Sequence, residues 1–188
     1  MKSMTKRLLA ALLAVAALFA LAGCSKSDKA DAAPKDYTKI LHDARPDEDN
    51  EYYMIFSPGE AGKFTAQYGY SDSYDAAQLD EEIRNMLLPL LNLEEDMYTD
   101  FAASVSGMMV QSYGIAIVKP AEGKQQAVSE ALDAYVQSQM QSMEHYLEDQ
   151  YQIAASSHIS TAPTGEVILV CCENPEAVMN AIKTALAA

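Results

Sequence analysis

Ile115-Ala116-Ile117-Val118 runs four apolar residues without a polar break and centres a strand expected over Val110–Lys119. Val167-Ile168-Leu169-Val170-Cys171-Cys172 does the same for a strand over Glu166–Cys172. Neither run has a polar face, so the sheet they belong to is expected to be covered on both sides. Before the first run, Met97, Thr99, Phe101, Ala103 and Val105 alternate as a strand does. After it, a helix is expected from about Lys124 to Asp149, with Val128, Leu132, Tyr135, Val136, Met140, Met143 and Leu147 as its buried stripe. Tyr151–Ile159 reads as a further strand, and Thr161-Ala162-Pro163-Thr164-Gly165 as a turn. A last helix opens at Asn174 as N-cap, with Pro175 at the first helical position.

The two halves of this region resemble each other. Asp96-Met97-Tyr98 answers Asp149-Gln150-Tyr151, and Ala102-Ala103-Ser104 answers Ala154-Ala155-Ser156. Ala127–Leu132 answers Ala177–Ile182, which makes Val128 and Val178 equivalent. The expected fold is therefore α+β: a tandem ββα repeat over 96–188, giving a four-stranded antiparallel sheet with two helices on one face. An N-terminal helix and hairpin region precedes it. Tyr37, Ile40, Leu41 and Ala44 mark a short helix with Asp36 as N-cap; Arg45–Asn50 reads as a turn or loop. Tyr52, Met54 and Phe56, then Phe64, Ala66, Tyr68 and Tyr70, alternate as the arms of a hairpin. Asp75–Leu91 is periodic as a helix that Pro89 should distort or end near Leu88.

The start of the chain has a different character. Lys2, Lys6 and Arg7 precede an uncharged apolar run, Leu8–Leu21, and Ala22-Gly23 lead to Cys24. This is the layout of a secretory signal, and the apolar run is shorter than a membrane span needs. The cysteine at its exit resembles a bacterial lipobox, in which the thiol receives a diacylglycerol and the preceding residues are removed. Residues 1–23 are read as signal peptide, 24–35 as a flexible tether and 36–188 as one α+β domain. The expected location is the outer face of the cytoplasmic membrane, with the membrane reached through the lipid on Cys24. Loss of three basic residues with the leader takes the formal net charge from −14 to about −17. Nucleic acid is excluded as a partner on this charge, because phosphate contacts need Lys and Arg. Only Cys171 and Cys172 remain, and neighbours in a strand point to opposite faces, so they are poorly placed to bond each other.

Met108–Pro120, Tyr146-Leu147-Glu148-Asp149-Gln150-Tyr151 and the Val167–Val170 strand resemble the domain-of-unknown-function family numbered four-three-five-eight, over roughly Leu79 to Ala188. Members of that family look like small lipoproteins of Firmicutes. The resemblance implies no activity, cofactor or site residue.

Chemistry-bearing motifs are sparse. His42, His145 and His158 are far apart. His145 with Glu148 and Asp149 lacks the second histidine of a zinc site. Asp47-x-Asp49-x-Glu51 opens like an EF-hand loop, but Tyr52 and Pro58 occupy the positions of its glycine and bidentate glutamate. No hydrolase elbow, Walker loop or dinucleotide glycine pattern is present. No catalytic residue, metal or cofactor is expected. The binding candidates lie in Tyr52–Tyr74, where seven aromatics adjoin the acids of Asp47–Glu51. Tyr53, Tyr68 and Tyr70 are the candidate ligand-binding residues. Such a surface suits neutral polar or cationic ligands, and alternation leaves one set of rings free of the core. Met108-Met109 at a hairpin tip is a second candidate contact surface, as methionine adapts its shape to a partner. The expected function is a non-catalytic binding or accessory module of the cell envelope, with an envelope protein, peptide or glycan as ligand. The alternatives are a hydrolase acting on wall material and a structural component of a surface complex.

Overall fold

The computed structural model describes residues 34–108 and 110–188. The expected signal peptide, Cys24 and the expected tether up to residue 33 lie outside the described residues, as does Met109. Six strands form the sheet: β1 (Ile55–Pro58), β2 (Phe64–Gln67), β3 (Tyr98–Val105), β4 (Gly114–Pro120), β5 (His158–Thr161) and β6 (Val167–Cys171). Their order is β2-β1-β3-β4-β6-β5, and every neighbouring pair is antiparallel. The register aligns Phe101 with Val118 and Val118 with Val167, while Ala102 aligns with Ile117 and Ile117 with Ile168. Alternate positions therefore feed two separate cores, as the pleat requires.

One core holds Phe101, Ala103, Ala116, Val118, Leu169 and Cys171 under helices α3 and α4. Helix α3 starts at Ala76–Glu82, widens into a π turn over Ile83–Leu87 and closes at Leu88–Leu90; α4 is Gln125–Met143. The other core holds Ala102, Ile115, Ile117, Ile168, Val170 and Cys172 under α1 (Tyr37–Ala44) and α6 (Pro175–Ala187). Both faces are covered, as the apolar strands demand.

Two features differ from the sequence reading. The sheet has six strands, because the N-terminal hairpin joins its edge through Phe56 and Ala103. The helices carrying Val128 and Val178 lie on opposite faces, each residue in a different core, so the two valines are not equivalent. The repeat fails at its second leading strand. Glu148–Ala155 is a helix, α5, which leaves only the four-residue β5 to follow. Glu148 and Asp149 favour its positive N-terminal end, and Gln152 donates to Glu148 at 2.7 Å one turn back. The match of Ala154-Ala155-Ser156 to Ala102-Ala103-Ser104 thus compares a helix end with a strand.

Pro89 acts where expected. It can neither donate to the carbonyl four residues back nor tolerate its closeness, and the π turn just before it opens the helix. At the other end of the chain Pro175 starts α6, while Asn174 precedes it without a side-chain capping bond. Asp36 does cap α1, accepting from the Lys39 N–H at 2.9 Å. Tyr37 in the first turn of α1 donates from its hydroxyl to Glu166 Oε1 at 2.9 Å, and the Lys35 ammonium donates to the Leu186 carbonyl. Those bonds fasten the start of the body beside the β5–β6 turn and the end of α6.

Candidate functional site

The site is built around Arg45, the lone cation in Arg45-Pro46-Asp47-Glu48-Asp49-Asn50-Glu51. The acids of this stretch are not in a loop: Asp47–Tyr52 is a short helix, α2, with Asp47, Glu48 and Asp49 in its first turn, where its positive end favours them. Arg45 is buried, only 5% exposed. Its guanidinium donates to Asn50 Oδ1 (2.6 Å), Ser104 Oγ (2.6 Å), the Tyr53 carbonyl (2.6 Å) and the Tyr113 hydroxyl (3.3 Å). The Ser104 hydroxyl in turn donates to the Met54 carbonyl at 2.8 Å. One cation thereby ties α2, β3 and the starts of β1 and β4 together, using four of its five N–H donors.

Over this anchor the rings of Tyr53 and Tyr113 stack, with centroids 3.9 Å apart and planes within 12°. Beside them is a cavity of about 590 Å3. α2 supplies Glu48, Asp49 and Tyr52; the β3–β4 tip supplies Met108, Gln111 and Ser112; α5 supplies Gln150 and Ile153; the end of β6 supplies Cys172 and Glu173. Among the described residues no lysine, arginine or histidine lines it. Gln150 holds the tip in place by accepting the Ser112 N–H at 2.8 Å. The Ser112 hydroxyl itself, in a residue only 2% exposed, has no hydrogen-bond partner among the described residues. A buried hydroxyl left so is costly unless something fills the need.

The electrostatics follow from burial and sign. Burial raises the Asp49 carboxyl above its ordinary value, against the opposing pull of Tyr113 and Arg45. Burial also pushes the Tyr113 phenol well up, Arg45 pulling against this and Asp49 adding to it. The Tyr53 phenol rises for the same two reasons, burial and the Asp49 charge. Cys172 is pushed up to about 11, again chiefly by burial, so its thiol is protonated at neutral pH.

Of the three candidate tyrosines, Tyr53 and Tyr70 stand in the cavity wall, Tyr70 edge-on to Tyr52 at 6.4 Å. Tyr68 does not line it. Its ring lies on His42 at 4.2 Å, and its backbone is turned to φ 66°, ψ 177°, where Gly69 passes close against the Tyr53 backbone. Phe56 and Phe64 are core. Met108 is exposed and lines the cavity; its neighbour Met109 is outside the described residues. His145 is exposed beside Glu144, and the described residues contain no group of three or more His, Cys, Asp or Glu able to hold a metal. Cys171 and Cys172 are both free and buried, in different cores.

Sequence reasoning missed Arg45, Ser104, Ser112, Tyr113 and Gln150 as parts of the site. The usable signal was the lone arginine among acids. The others come together only through pairings 38 to 68 residues apart in sequence.

A family described as Domain of unknown function (DUF4358) matches residues 71–172. The chain belongs to this family. The DUF4358 match begins ahead of Leu79 and stops at Cys172, so it takes in β3 to β6, α4 and α5, and leaves out α6. The cavity straddles its boundary: Ser112, Tyr113, Gln150 and Cys172 fall inside the DUF4358 region, Asp49, Tyr53 and Tyr70 ahead of it. No curated protein and no solved structure matches the chain.

Proposed function

We propose that this protein is an extracytoplasmic lipoprotein, anchored through Cys24 on the outer face of the cytoplasmic membrane, and that it binds a ligand of the cell envelope in the Tyr53–Tyr113 cavity. The observation that carries the binding role is a cavity of about 590 Å3 whose wall gathers four tyrosines and a buried hydroxyl without a partner. Small-ligand and peptide sites take this form, with roughly 300–1,000 Å3 of mostly apolar space and a few placed polar groups. Binding is favoured over hydrolysis by the chemistry of the wall. Cys172 is held as a thiol, and Ser112 has no hydrogen-bonded base to activate it. The anchoring role rests on the leader, with its basic start, apolar run and Ala22-Gly23-Cys24 exit.

Single alanine replacements of the three candidate tyrosines test the site. Tyr53→Ala and Tyr70→Ala should weaken binding of wall-derived peptides or glycan fragments about tenfold or more, as loss of an aromatic anchor does. Tyr70 is exposed, so its variant should keep its thermal midpoint within about 2–4 °C. Tyr68→Ala should leave binding unchanged. If the wild type binds neither class of ligand and all three variants only lose stability, the tyrosines serve the fold and the proposal is wrong.

A further inference from the structure

Resting on that binding site, the geometry points to its ligand class: we propose that the cavity takes a short peptide carrying a primary ammonium group, with Asp49 as counter-ion and Ser112 as a hydrogen-bonding partner of the peptide backbone. The wall holds three carboxylates, Glu48, Asp49 and Glu173, and no lysine, arginine or histidine among the described residues. Arg45 is buried behind the wall and does not line the cavity, and four of its five N–H donors go to Asn50, Ser104, Tyr53 and Tyr113, so it does not face an anion there. An anionic ligand would meet like charge with no compensation, whereas a cation meets carboxylates next to tyrosine faces, which attract positive charge through the ring quadrupole.

A second observation, independent of the acids, selects a peptide over a bare amine. The Ser112 hydroxyl is almost fully buried in the wall and has no partner among the described residues, and a hydroxyl both donates and accepts, as an amide needs. The side-chain amides of Gln111 and Gln150 stand in the same wall. Asp49 fits the role of counter-ion for a further reason. Burial already penalises its charge, so a bound ammonium returns what desolvation removed.

Calorimetric titration of the full-length chain in neutral detergent tests this with three probes of one shape: N-acetyl-lysine methylamide, its uncharged norleucine counterpart and its glutamate counterpart. The lysine probe should bind about tenfold or more tighter than the norleucine probe, with no binding of the glutamate probe. Asp49→Asn should bring the lysine probe down to the level of the norleucine probe and leave the latter unchanged. Glu173→Gln, at an exposed position, should lower the lysine preference in the same direction if Asp49→Asn fails to fold. Ser112→Ala should weaken both probes alike, since it acts on what they share. Equal binding of the lysine and norleucine probes, or equal losses for both on Asp49→Asn, overturns the charge recognition. No binding of any probe also overturns it. In that case retained binding of a glycan fragment, lost in Tyr70→Ala, would still support the cavity as a site, and its absence would count against both.

Discussion

Arg45 is a cation held without a carboxylate in contact: its bonds run to an amide, a carbonyl and two hydroxyls. Such an arrangement needs the planar fork of a guanidinium, because a lysine offers one point of charge and cannot span four acceptors on three directions. Glu166 is its acidic counterpart at the other end of the sheet. Burial alone would raise its carboxyl, but bonds from Thr164, its own N–H and the Tyr37 hydroxyl outweigh that, and it titrates below its ordinary value of 4.5. A group whose value falls on folding stabilises the protein above its unfolded value, and loses that contribution as pH drops through the folded one. Stability should therefore decline below about pH 4.5, and Glu166→Gln should flatten that part of the profile while lowering stability at neutral pH. Urea midpoints measured from pH 7 to pH 3 decide it; parallel curves for the two proteins would assign the acid sensitivity elsewhere.

At the scale of elements, the contact between β4 and α4 is a close one. A Cβ on Gly114 would stand 2.6 Å from the Tyr135 hydroxyl and 2.7 Å from its ring, and that ring is fully buried with its hydroxyl bonded to the Tyr113 carbonyl at 2.8 Å. Gly114→Ala should cost roughly 1–3 kcal/mol through overpacking, read from denaturant unfolding. A loss below about 0.5 kcal/mol would mean that α4 can shift, which the packing argument denies. The elements themselves were largely legible in the residues. Ile115–Val118 and Val167–Cys172 could only be strands buried on both faces, and the Phe56 and Phe64 alternation did mark a hairpin. Glu148–Ala155 misled because Tyr151, Ile153 and Ala155 alternate as well as any strand, while Glu148-Gln152 spacing and the acidic first turn supported a helix. Which face each helix takes was not legible. A stripe such as Val128-Leu132-Tyr135 says that a helix has a buried side, and nothing in it names the sheet face it meets. For the same reason Tyr53 could be found from alternation, while its partner Tyr113, 60 positions away, could not.

For the whole molecule, charge and tether belong together. If Cys24 carries the proposed lipid, thirteen steps separate it from Tyr37, and a coil of that length would span about 20 Å, well beyond a Debye length of about 8 Å at physiological salt. An acidic body so held would be spared repulsion by an anionic bilayer. Two acyl chains on Cys24 would make that attachment stable, where a single chain gives only marginal binding. Cys24→Ala should accordingly yield an uncleaved precursor or a shed protein in membrane fractionation. Normal cleavage with unchanged membrane retention would refute the lipid anchor.

The Tyr37–Glu166 bond fixes where the described chain enters the body. Glu166 precedes β6 and Cys172 follows it, so the entry of the described chain and the wall of the cavity sit at opposite ends of one strand, about 20 Å apart. Under the proposed lipid anchor, attachment and capture would thus use opposite ends of the body. Neither would obstruct the other, so a tethered copy could fill its cavity as readily as one set free.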